Sequence, residues 1–353
     1  MGLSHIQVDD LRCLRRAELE LDSRLTLISG ANGSGKSSLL EAMFLLGRGR
    51  SFRTAKLDTA VRSGAERLRV VGAVASGARE INIGVETDNG SLLARVAGAP
   101  VETLAGLATA FPVQVIDPGV HKLIEEGPVG RRRYLDWGVF HVEHGYLGHW
   151  QRLQRVLKQR NAALRSAASD DTLDAFDREF ASCGEAVAAA RERYAGVLLP
   201  HVSVVCERLL GEVISLRYAR GWPDGIPLEE ALGAARERDR RRVMSTVGPQ
   251  RADLILERFD APVRTTVSRG QQKLMAAALV LGQLGLHLET DALETTLLLD
   301  DPAAELDEDR LARLVSEVRR LPTQLVMTSL VPRDLLGTPG RLFHVEQGVV
   351  TPI

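Results

Sequence analysis

The chain has 353 residues, of which 44% are hydrophobic and 26% are charged. This composition is typical of globular proteins and excludes a wholly disordered or fibrous chain; at roughly 150 residues per domain, the length predicts about two domains. The formal net charge of -1 excludes a positive field over the whole surface, although a local basic face is compatible with it. The three cysteines, Cys13, Cys183 and Cys206, are widely spaced. They argue against a disulfide framework and a zinc ribbon, so we expect free thiols.

The sequence contains no apolar run of the roughly 18 residues that a membrane span needs. Its most apolar stretch, residues 275–288, is interrupted by Gly282, Gln283 and Gly285. The first residues also lack the apolar core of a secretory signal. We therefore expect a soluble, cytoplasmic protein with no membrane partner.

The first hundred residues show strand patterns around one helix. Residues 17–21 alternate apolar and polar side chains, and residues 25–29 are a short run of branched side chains that is typical of a buried strand. Residues 36–46 have the apolar spacing of a helix. A meander of three further short strands is predicted at residues 68–74, 81–85 and 92–96.

Helical periodicity replaces this pattern in the middle of the chain. Residues 145–212 predict two main helices in an antiparallel arm, and a charged helix follows at 229–242. Strand patterns then return at residues 254–258, 297–299, 325–328 and 342–345. This order predicts one α/β domain made of residues 1–125 plus 245–353, into which residues 126–244 insert as a helical second lobe.

Residues 30–37 match the phosphate-binding motif G-x-x-x-x-G-K-[ST] in full, between the predicted strand and helix. The predicted cofactor-binding loop comprises Gly30, Ala31, Asn32, Gly33, Ser34, Gly35, Lys36, Ser37 and Ser38. Its backbone amides can surround a phosphate, and the following helix directs its positive end at the same anion. Lys36 is expected to reach the β- and γ-phosphates of a nucleotide, and Ser37 to bind Mg²⁺.

An aspartate pair follows the hydrophobic strand predicted at residues 297–299. Asp300 is placed to hold the metal, and Asp301 to orient and deprotonate the attacking water as the catalytic base. The alternative is that both aspartates merely cap the helix after Pro302. The phosphate-binding loop elsewhere in the chain favours the metal and catalytic roles.

A third motif stands before the apolar helix predicted at residues 274–281. It comprises Ser268, Arg269, Gly270 and Gln271. Such a string is usually a helix cap, but serine and glycine at a helix N-terminus also form an anion site. The aspartate pair and the loop at residues 304–307 follow this motif in the sequence. With these three features in this order, the sequence resembles the ABC-type ATPases. That resemblance implies that this signature crosses a dimer interface to the γ-phosphate bound by the other subunit, and it adds Asp307 to the cofactor-binding residues.

Five stretches narrow the resemblance within that superfamily. They are residues 47–53, 130–137, 157–161, 248–251 and 268–273. In order and spacing they are similar to the RecF family of bacterial recombination mediators along essentially the whole chain. The resemblance implies an ABC-type P-loop ATPase head with an antiparallel β-subdomain and an inserted helical second lobe, with ATP and Mg²⁺ as cofactors.

The same resemblance carries expectations about partners. It implies an ATP-dependent homodimer that binds DNA, both single-stranded and gapped duplex. It also implies action with RecO and RecR in recombinational repair, replication-fork recovery and SOS induction. A weak, DNA-stimulated ATPase would then act as a switch that resets DNA binding.

Four residues depart from the family patterns. Gln250 stands where histidine is expected, and Thr328 and Ser329 stand where many ABC ATPases have a catalytic histidine. Asp301 replaces the glutamate that is usual in transporters, and its shorter side chain would hold water less well. These departures favour slow hydrolysis.

Basic residues around the helical arm are candidates for a DNA-contacting face, with a solvated helix face as the alternative. They are Arg131, Arg132, Arg133, Arg152, Arg155, Lys158 and Arg160. Residues 236–242 alternate arginine with Glu237 and Asp239, which favours pairing within the helix. His141, His144 and His149 lack carboxylate or cysteine partners at zinc-like spacing, which argues against a metal site there.

Three other functions share parts of this pattern. An ABC transport ATPase subunit would need a membrane partner and would rarely carry so long a helical insertion. A chromosome-structural ATPase of the SMC type would insert a coiled coil of hundreds of residues. A P-loop kinase would have no use for the signature at Ser268.

Overall fold

The chain forms two compact units in the computed structural model. The structure describes residues 2–76, 79–88, 90–258, 261–290, 294–304, 306–331 and 337–353. The first unit is Met1–Val120 with His287–Ile353, and the second is His121–Leu286. Among the described residues, none of the helices combines the length and the apolar character needed to cross a membrane.

The described elements comprise groups of consecutive strands at both ends of the chain and a run of helices in its middle. The strands are β1 (Gly2–Leu11), β2 (Leu14–Glu20), β3 (Leu25–Ser29), β4 (Arg69–Ser76), β5 (Arg79–Asp88), β6 (Ser91–Val96), β7 (Ala99–Pro100), β8 (Val113–Ile116), β9 (Ser215–Ala219), β10 (Asp253–Arg258), β11 (Ala261–Pro262), β12 (Thr296–Leu299), β13 (Leu325–Ser329), β14 (Arg341–Glu346) and β15 (Val349–Pro352). The helices are α1 (Lys36–Arg48), α2 (Leu104–Ala110), α3 (Lys122–Glu125), α4 (Pro128–Val142), α5 (Tyr146–Arg165), α6 (Asp170–Leu210), α7 (Leu228–Arg242), α8 (Val263–Thr266), α9 (Arg269–Glu289) and α10 (Glu308–Arg320).

One sheet of the first unit is antiparallel, with the strand order β2-β1-β4-β5-β6-β7. Strands β4, β5 and β6 are the predicted meander. In β1 the buried residues are Leu3, Ile6, Val8 and Leu11, so the two-residue alternation slips between Leu3 and Ile6 and again between Val8 and Leu11. A register shift against β4, between Leu3 and His5, marks a β-bulge there and accounts for the first slip.

The other sheet of the first unit has the order β15-β14-β3-β13-β12-β8. Its strands are parallel except β15. Parallel strands bring their carboxyl ends to one edge, where ligands of open α/β sheets bind. Because β13 lies between β3 and β12, the residues that follow β3 and β12 flank the end of β13.

Helix α1 packs against strands of both sheets. Every residue from Leu39 to Gly47 is buried, as expected for a helix that is apolar on nearly all sides; Glu41 is the one charged residue of this stretch. A Cβ atom on Gly47 would lie 2.2 Å from the carbonyl oxygen of Phe111. Glycine therefore permits the close approach of α1 to the chain that leads into β8.

The second unit is mainly helical. Helices α5 and α6 pack against each other as the predicted arm, and α6 begins at its N-cap Ser169, whose side chain accepts from the amide of Thr172. A three-stranded sheet in the order β11-β10-β9 completes this unit. The predicted fold class, an α/β protein with an antiparallel sheet and a helical insertion, is confirmed.

The compact units do not share the boundaries of the predicted domains. The prediction placed residues 245–353 with the first domain, whereas the first unit resumes only at His287. The intervening segment joins the helical unit because β10 pairs with β9 and packs against α4. The N-terminus of α9 therefore belongs to the second unit. The division into one domain of residues 1–125 plus 245–353 and an inserted lobe of residues 126–244 stays a prediction.

Candidate functional site

The phosphate-binding loop connects β3 to α1 at the carboxyl edge of the parallel sheet. Gly30 has a φ of 151°, and a Cβ atom there would lie 2.3 Å from the carbonyl oxygen of Val345. Gly33 and Gly35 have φ values of 77° and 122°. Residues other than glycine rarely adopt these backbone angles, so the path of the loop requires glycine at these three positions.

Lys36 is folded over this loop. Its side chain is 5% exposed, and its Nζ atom donates to the carbonyl oxygens of Gly30 at 2.7 Å and Ala31 at 3.0 Å. The ammonium group thus lies inside the curve of the loop, where an anion bound by the loop amides would meet it.

A hydrogen-bonded chain joins α1, β13 and the end of β12. Ser37 Oγ donates to Asp300 Oδ1 at 2.9 Å, and Thr328 Oγ1 donates to the same oxygen at 2.7 Å. The backbone amide of Asp301 donates to Thr328 Oγ1 at 2.8 Å. The structure therefore brings together Ser37 and Asp300, the two predicted metal ligands, although 263 residues separate them in the sequence.

Thr328 was noted in the sequence only as a departure from the ABC pattern. Its position on β13, between the two functional strands, gives it contacts to both aspartates. Strand order alone could have indicated this, but the sequence gives no direct signal for the order.

Asp301 stands in an unusual environment. Its φ is 41°, in the left-handed region that non-glycine residues seldom adopt. Burial raises the pKa of its carboxyl group, the nearby Lys36 partly offsets that rise, and Asp300 adds to it. Its Oδ1 atom is buried and accepts no hydrogen bond from the described residues. A carboxylate in this state can accept a proton or a hydrogen bond from a bound group.

These residues surround a cavity of about 280 Å³ in the first unit. Its lining residues are Arg12, Cys13, Asn32, Gly33, Gly35, Lys36, Ser37, Ser38, Arg53 and Asp301. Three cationic side chains face one carboxylate in this set, so the cavity favours an anionic ligand.

Glu41 holds two of those cations. It is 1% exposed and accepts from Arg12 Nε at 3.0 Å, Arg12 Nη2 at 2.8 Å and Arg53 Nη1 at 3.4 Å. Ser51 Oγ also donates to it, at 2.5 Å. None of these four residues was predicted as a site residue, although the stretch 47–53 was among those that carried the resemblance and includes Ser51 and Arg53.

The signature residues lie in the second unit, at the N-terminus of α9. The amide of Ser268 donates to Gln271 Oε1 at 2.9 Å, and the amide of Gln271 donates to Ser268 Oγ at 3.4 Å. This reciprocal pair is a capping box. Arg269 lies 3.1 Å from His121 Nε2. Ser268 and Arg269 are exposed and Gly270 is half-buried, so the helix end is accessible.

Asp307 caps α10. Its Oδ1 atom accepts from the amide of Arg310 at 2.9 Å, and it does not line the cavity. Its predicted neighbour in the loop, Glu305, lies outside the described residues.

The prediction that Arg160 is part of a DNA-contacting face is wrong. That side chain is 0% exposed because it is enclosed by Asp177, Asp239 and Ser245. Two other arginines of the predicted face have partners within the second unit. Arg131 pairs with Asp253, and Arg132 donates to the carbonyl oxygen of Ala252. Periodicity placed these cations between apolar positions, but it could not indicate the partners that distant segments of the chain contribute.

The prediction that the charged residues of 236–242 pair with one another within the helix is also wrong. Arg236 pairs with Asp170, Asp174 and Asp177 of α6, and Asp239 pairs with Arg160 of α5. The carboxylates that pair with Arg236 therefore come from α6.

The cavity suits a magnesium–nucleotide ligand by the chemistry of its donors. Magnesium is usually bound by one or two carboxylates together with substrate phosphates, and Ser37 with Asp300 supplies one hydroxyl and one carboxylate. In the described residues, no group of three His, Cys, Asp or Glu side chains forms a metal site by itself. Phosphate oxygens are the ligands that would complete the coordination of a magnesium ion at Ser37 and Asp300.

The parallel sheet, the loop around Lys36, the paired aspartates and the capped signature helix define an ATPase head of the ABC and SMC type. The family model described as RecF/RecN/SMC N terminal domain matches residues 2–347. Smc heads share this fold: one bound to the C-winged helix domain of ScpA has a TM-score of 0.61 at 14% identity, covering 100% of this chain and 97% of that one.

Within that class, the chain belongs to the RecF family. It is 36% identical to the DNA replication and repair protein RecF of Vibrio vulnificus (strain CMCP6), with 99% of each chain covered. It is 34% identical to RecF of Escherichia coli O6:K15:H31 (strain 536 / UPEC), over 99% of this chain and 100% of the relative. The structure of the recombination mediator protein RecF-ATP in the RecFOR pathway has a TM-score of 0.90 at 27% identity, covering 100% of this chain and 97% of that one.

Proposed function

We propose that the chain is an ATP-dependent DNA-binding protein that dimerises on DNA when ATP is bound and takes part in recombinational repair. The observation that carries the proposal is the cavity around Lys36, where three cations converge beside the hydrogen-bonded pair of Ser37 and Asp300. The ATP complex of a RecF relative with a TM-score of 0.90 supports the choice of nucleotide.

The site residues predicted from the sequence have proposed roles in the cavity. The amides of residues 30–38 and the Lys36 ammonium group bind the phosphates, and Ser37 and Asp300 are the residues that would hold Mg²⁺. Asp301 accepts the proton of the attacking water, for which its raised pKa and free oxygen suit it. Mg²⁺ held by Ser37 and Asp300 would supply positive charge against the negative charge that develops on the phosphates.

Slow hydrolysis is part of the proposal. Thr328 occupies the place where many ABC ATPases have a histidine, and its hydroxyl bridges the two aspartates. A threonine cannot carry the positive charge that a protonated histidine would bring to the phosphates. A weak, DNA-stimulated ATPase that resets DNA binding is consistent with this arrangement.

The complete site is proposed to include a second copy of the chain. Ser268, Arg269, Gly270 and Gln271 stand at the accessible N-terminus of α9, which can receive an anion from outside its own subunit. In this proposal Asp307 also approaches the nucleotide of the partner subunit, since it is exposed and lies outside its own cavity.

The proposed partners follow from the family. They are single-stranded and gapped duplex DNA, with RecO and RecR, in fork recovery and the SOS response; the proposed location is the cytoplasm. Supporting observations are the RecF relatives, which are DNA replication and repair proteins, and the assignment of a solved RecF relative to the RecFOR pathway.

The first prediction tests whether nucleotide controls DNA binding. Fluorescence anisotropy of a labelled gapped duplex should show tighter binding with ATP than with ADP or without nucleotide. Lys36→Met should lose that difference and the binding of a fluorescent ATP analogue, because the other cavity cations, Arg12 and Arg53, are held by Glu41.

Lys56→Met is the matched control, since Lys56 is exposed and lies outside the cavity. It should behave as the parent protein does. DNA binding that ignores nucleotide would contradict ATP control, and the absence of DNA binding in every nucleotide state would favour a transporter or kinase function.

A further inference from the structure

Three of the stretches that carry the family resemblance, residues 130–137, 157–161 and 248–251, lie in or next to one segment of the second unit. This segment, here called the arginine loop, comprises residues 241–251, which are the last two residues of α7 and most of the connection from α7 to β10. It has no part in the proposed nucleotide chemistry.

The first half of the arginine loop is fixed by a buried charge cluster. Arg160, which is 0% exposed, donates to Asp239 Oδ2 and to Ser245 Oγ, each at 2.8 Å. Asn161 Oδ1 accepts from the amide and the hydroxyl of Ser245, both at 2.8 Å. Asp239 Oδ1 accepts from the amide of Thr246 at 2.9 Å.

The second half is fixed by a separate cluster. Arg191, which is buried, pairs with Asp136 through Nε at 2.7 Å and Nη2 at 3.1 Å. Its Nη1 atom donates to the carbonyl oxygen of Pro249 at 2.8 Å. Just beyond the loop, Arg132 donates to the carbonyl oxygen of Ala252 at 2.7 Å.

Buried charges lose their hydration, so such pairs contribute little net stability and are better explained by the geometry they impose. Here two independent clusters impose the conformation of one surface loop. Val243 has a φ of 55°, which is strained for a β-branched residue. Strained backbone at an exposed position is a feature of ligand-binding loops.

The side chains that the loop displays are cationic and apolar. Arg241, Arg242 and Arg251 are exposed, and no carboxylate of the described residues forms a salt bridge with them. Val243 and Met244 are each 42% exposed. The one carboxylate of the last turn of α7, Asp239, is occupied by Arg160.

Basic residues at a helix C-terminus also have an ordinary explanation, because they complement the helix dipole. Helix α10 provides the comparison: it ends in Arg319 and Arg320, and Arg320 pairs with Glu317. Unlike α10, α7 is followed by a fixed loop that adds Arg251 and two exposed apolar side chains.

We propose that the arginine loop is a DNA-contacting element of the second unit. Its arginines neutralise phosphates of the DNA backbone, for which the guanidinium fork is suited, while Val243 and Met244 pack against sugars or base edges. A loop already held in its binding conformation loses little entropy on binding. The inference rests on the proposed DNA-binding function, to which it adds the contacting residues.

The test compares two double variants that change charge equally. Arg241→Gln with Arg242→Gln alters the arginine loop, and Arg319→Gln with Arg320→Gln alters the end of α10. Affinity for a labelled gapped duplex is measured with ATP over a series of salt concentrations. Sedimentation and a fluorescent ATP analogue report dimerisation and nucleotide binding on the same samples.

With two copies on the DNA in ATP, each lacking two phosphate contacts, the log-log salt slope should become less steep by about 3.6, since each contact contributes about 0.9 to the slope, and binding at 0.1 M salt should weaken roughly four-thousand-fold. The α10 variant should match the parent protein. Both variants should bind the ATP analogue normally. Met244→Ser should weaken DNA binding and leave the slope unchanged, because it removes no charge.

Several results would overturn the inference. An arginine-loop variant with the parental slope and affinity shows that the loop does not contact DNA. Equal losses in both double variants indicate a general charge effect. Loss of ATP-dependent dimerisation with intact DNA affinity assigns the loop to an interface between copies. A parent protein that binds no DNA refutes the proposed function, and the inference with it.

Discussion

Glu41 determines where the positive charge of the nucleotide cavity lies. This carboxylate is buried in α1, one turn after Ser37, and it holds both Arg12 and Arg53 at the cavity wall. The guanidinium of Arg12 is bound through two nitrogens and that of Arg53 through one. The hydrogen bond between Arg12 and Glu41 is the main cause of the raised pKa of Arg12. Glu41 is thus a positioning residue, since it does not line the cavity itself.

The second prediction concerns this residue. Glu41→Gln should weaken binding of an ATP analogue several-fold, because an uncharged amide cannot hold two guanidinium groups in place. Double-mutant cycles with Arg12→Gln and Arg53→Gln should give a larger coupling for Arg12, within the roughly 0.5–3 kcal/mol seen for contacting pairs. Glu66→Gln, at an exposed carboxylate, is the control. Loss of thermal stability without loss of affinity would indicate a structural role only.

The third prediction separates the two aspartates. Asp301→Asn should bind ATP and fail to hydrolyse it, whereas Asp300→Asn should also weaken magnesium-dependent binding, because only Asp300 contacts Ser37. Burial raises the pKa of Asp301, and a base acts when deprotonated. Turnover should therefore fall as pH falls through a midpoint above the ordinary value of about 3.9.

The measurement is kcat as a function of pH, beside equilibrium binding of the analogue. Asp309→Asn serves as a control because Asp309 is an exposed carboxylate in the first turn of α10. Normal turnover by Asp301→Asn would show that another group accepts the proton.

At the scale of elements, α9 carries the fourth prediction. Ser268→Arg puts a bulky side chain at the accessible helix end and leaves the subunit's own phosphate-binding loop unchanged. The variant should bind ATP as a monomer but neither dimerise nor hydrolyse it. Mixed with Lys36→Met, it should recover ATPase activity, because a mixed dimer contains one intact composite site.

Ser169→Arg is the matched control for this experiment. Ser169 is also an N-cap serine, at α6, and its side chain accepts from the amide of Thr172. Both substitutions remove a cap, so a loss common to both reflects helix stability. Normal ATP-dependent dimerisation and turnover by Ser268→Arg alone would refute the composite site.

Local patterns predicted the elements around the cavity well. The strand predicted at residues 25–29 is β3, and the helix predicted from residue 36 is α1. Both signals are contained in one short segment: a branched apolar run, then a glycine-rich loop, then helical spacing. The phosphate-binding loop could be read from sequence for the same reason.

Contacts between distant segments were beyond such patterns. Strand β9 was not predicted, because its partner β10 begins after an intervening helix and Leu254 pairs with Tyr218 across it. The positions of Thr328 and Arg160 depend on strand order and on carboxylates from other helices. Arg12 gave no signal either, since its partner Glu41 lies on the other side of the phosphate-binding loop.

At the scale of the whole molecule, a net charge of -1 constrains how DNA can be bound. Such a chain has no overall positive field to attract DNA from a distance, so affinity must come from local contacts. Each contact with a duplex phosphate contributes about -0.9 to the slope of log affinity against log salt. The slope therefore counts the phosphates that a binding unit neutralises.

The fifth prediction uses this count to detect dimerisation on DNA. If ATP joins two copies on one DNA molecule, both contribute their contacts, and the salt slope with ATP should be about twice the slope with ADP. The measurement is a salt titration of affinity for a duplex long enough for two copies, in each nucleotide. Lys36→Met should give the slope of the parent protein in ADP whether ATP or ADP is present, because this variant does not bind ATP. Equal slopes for the parent protein in ATP and ADP, despite tighter binding in ATP, would show that ATP strengthens the contacts of one copy without recruiting a second.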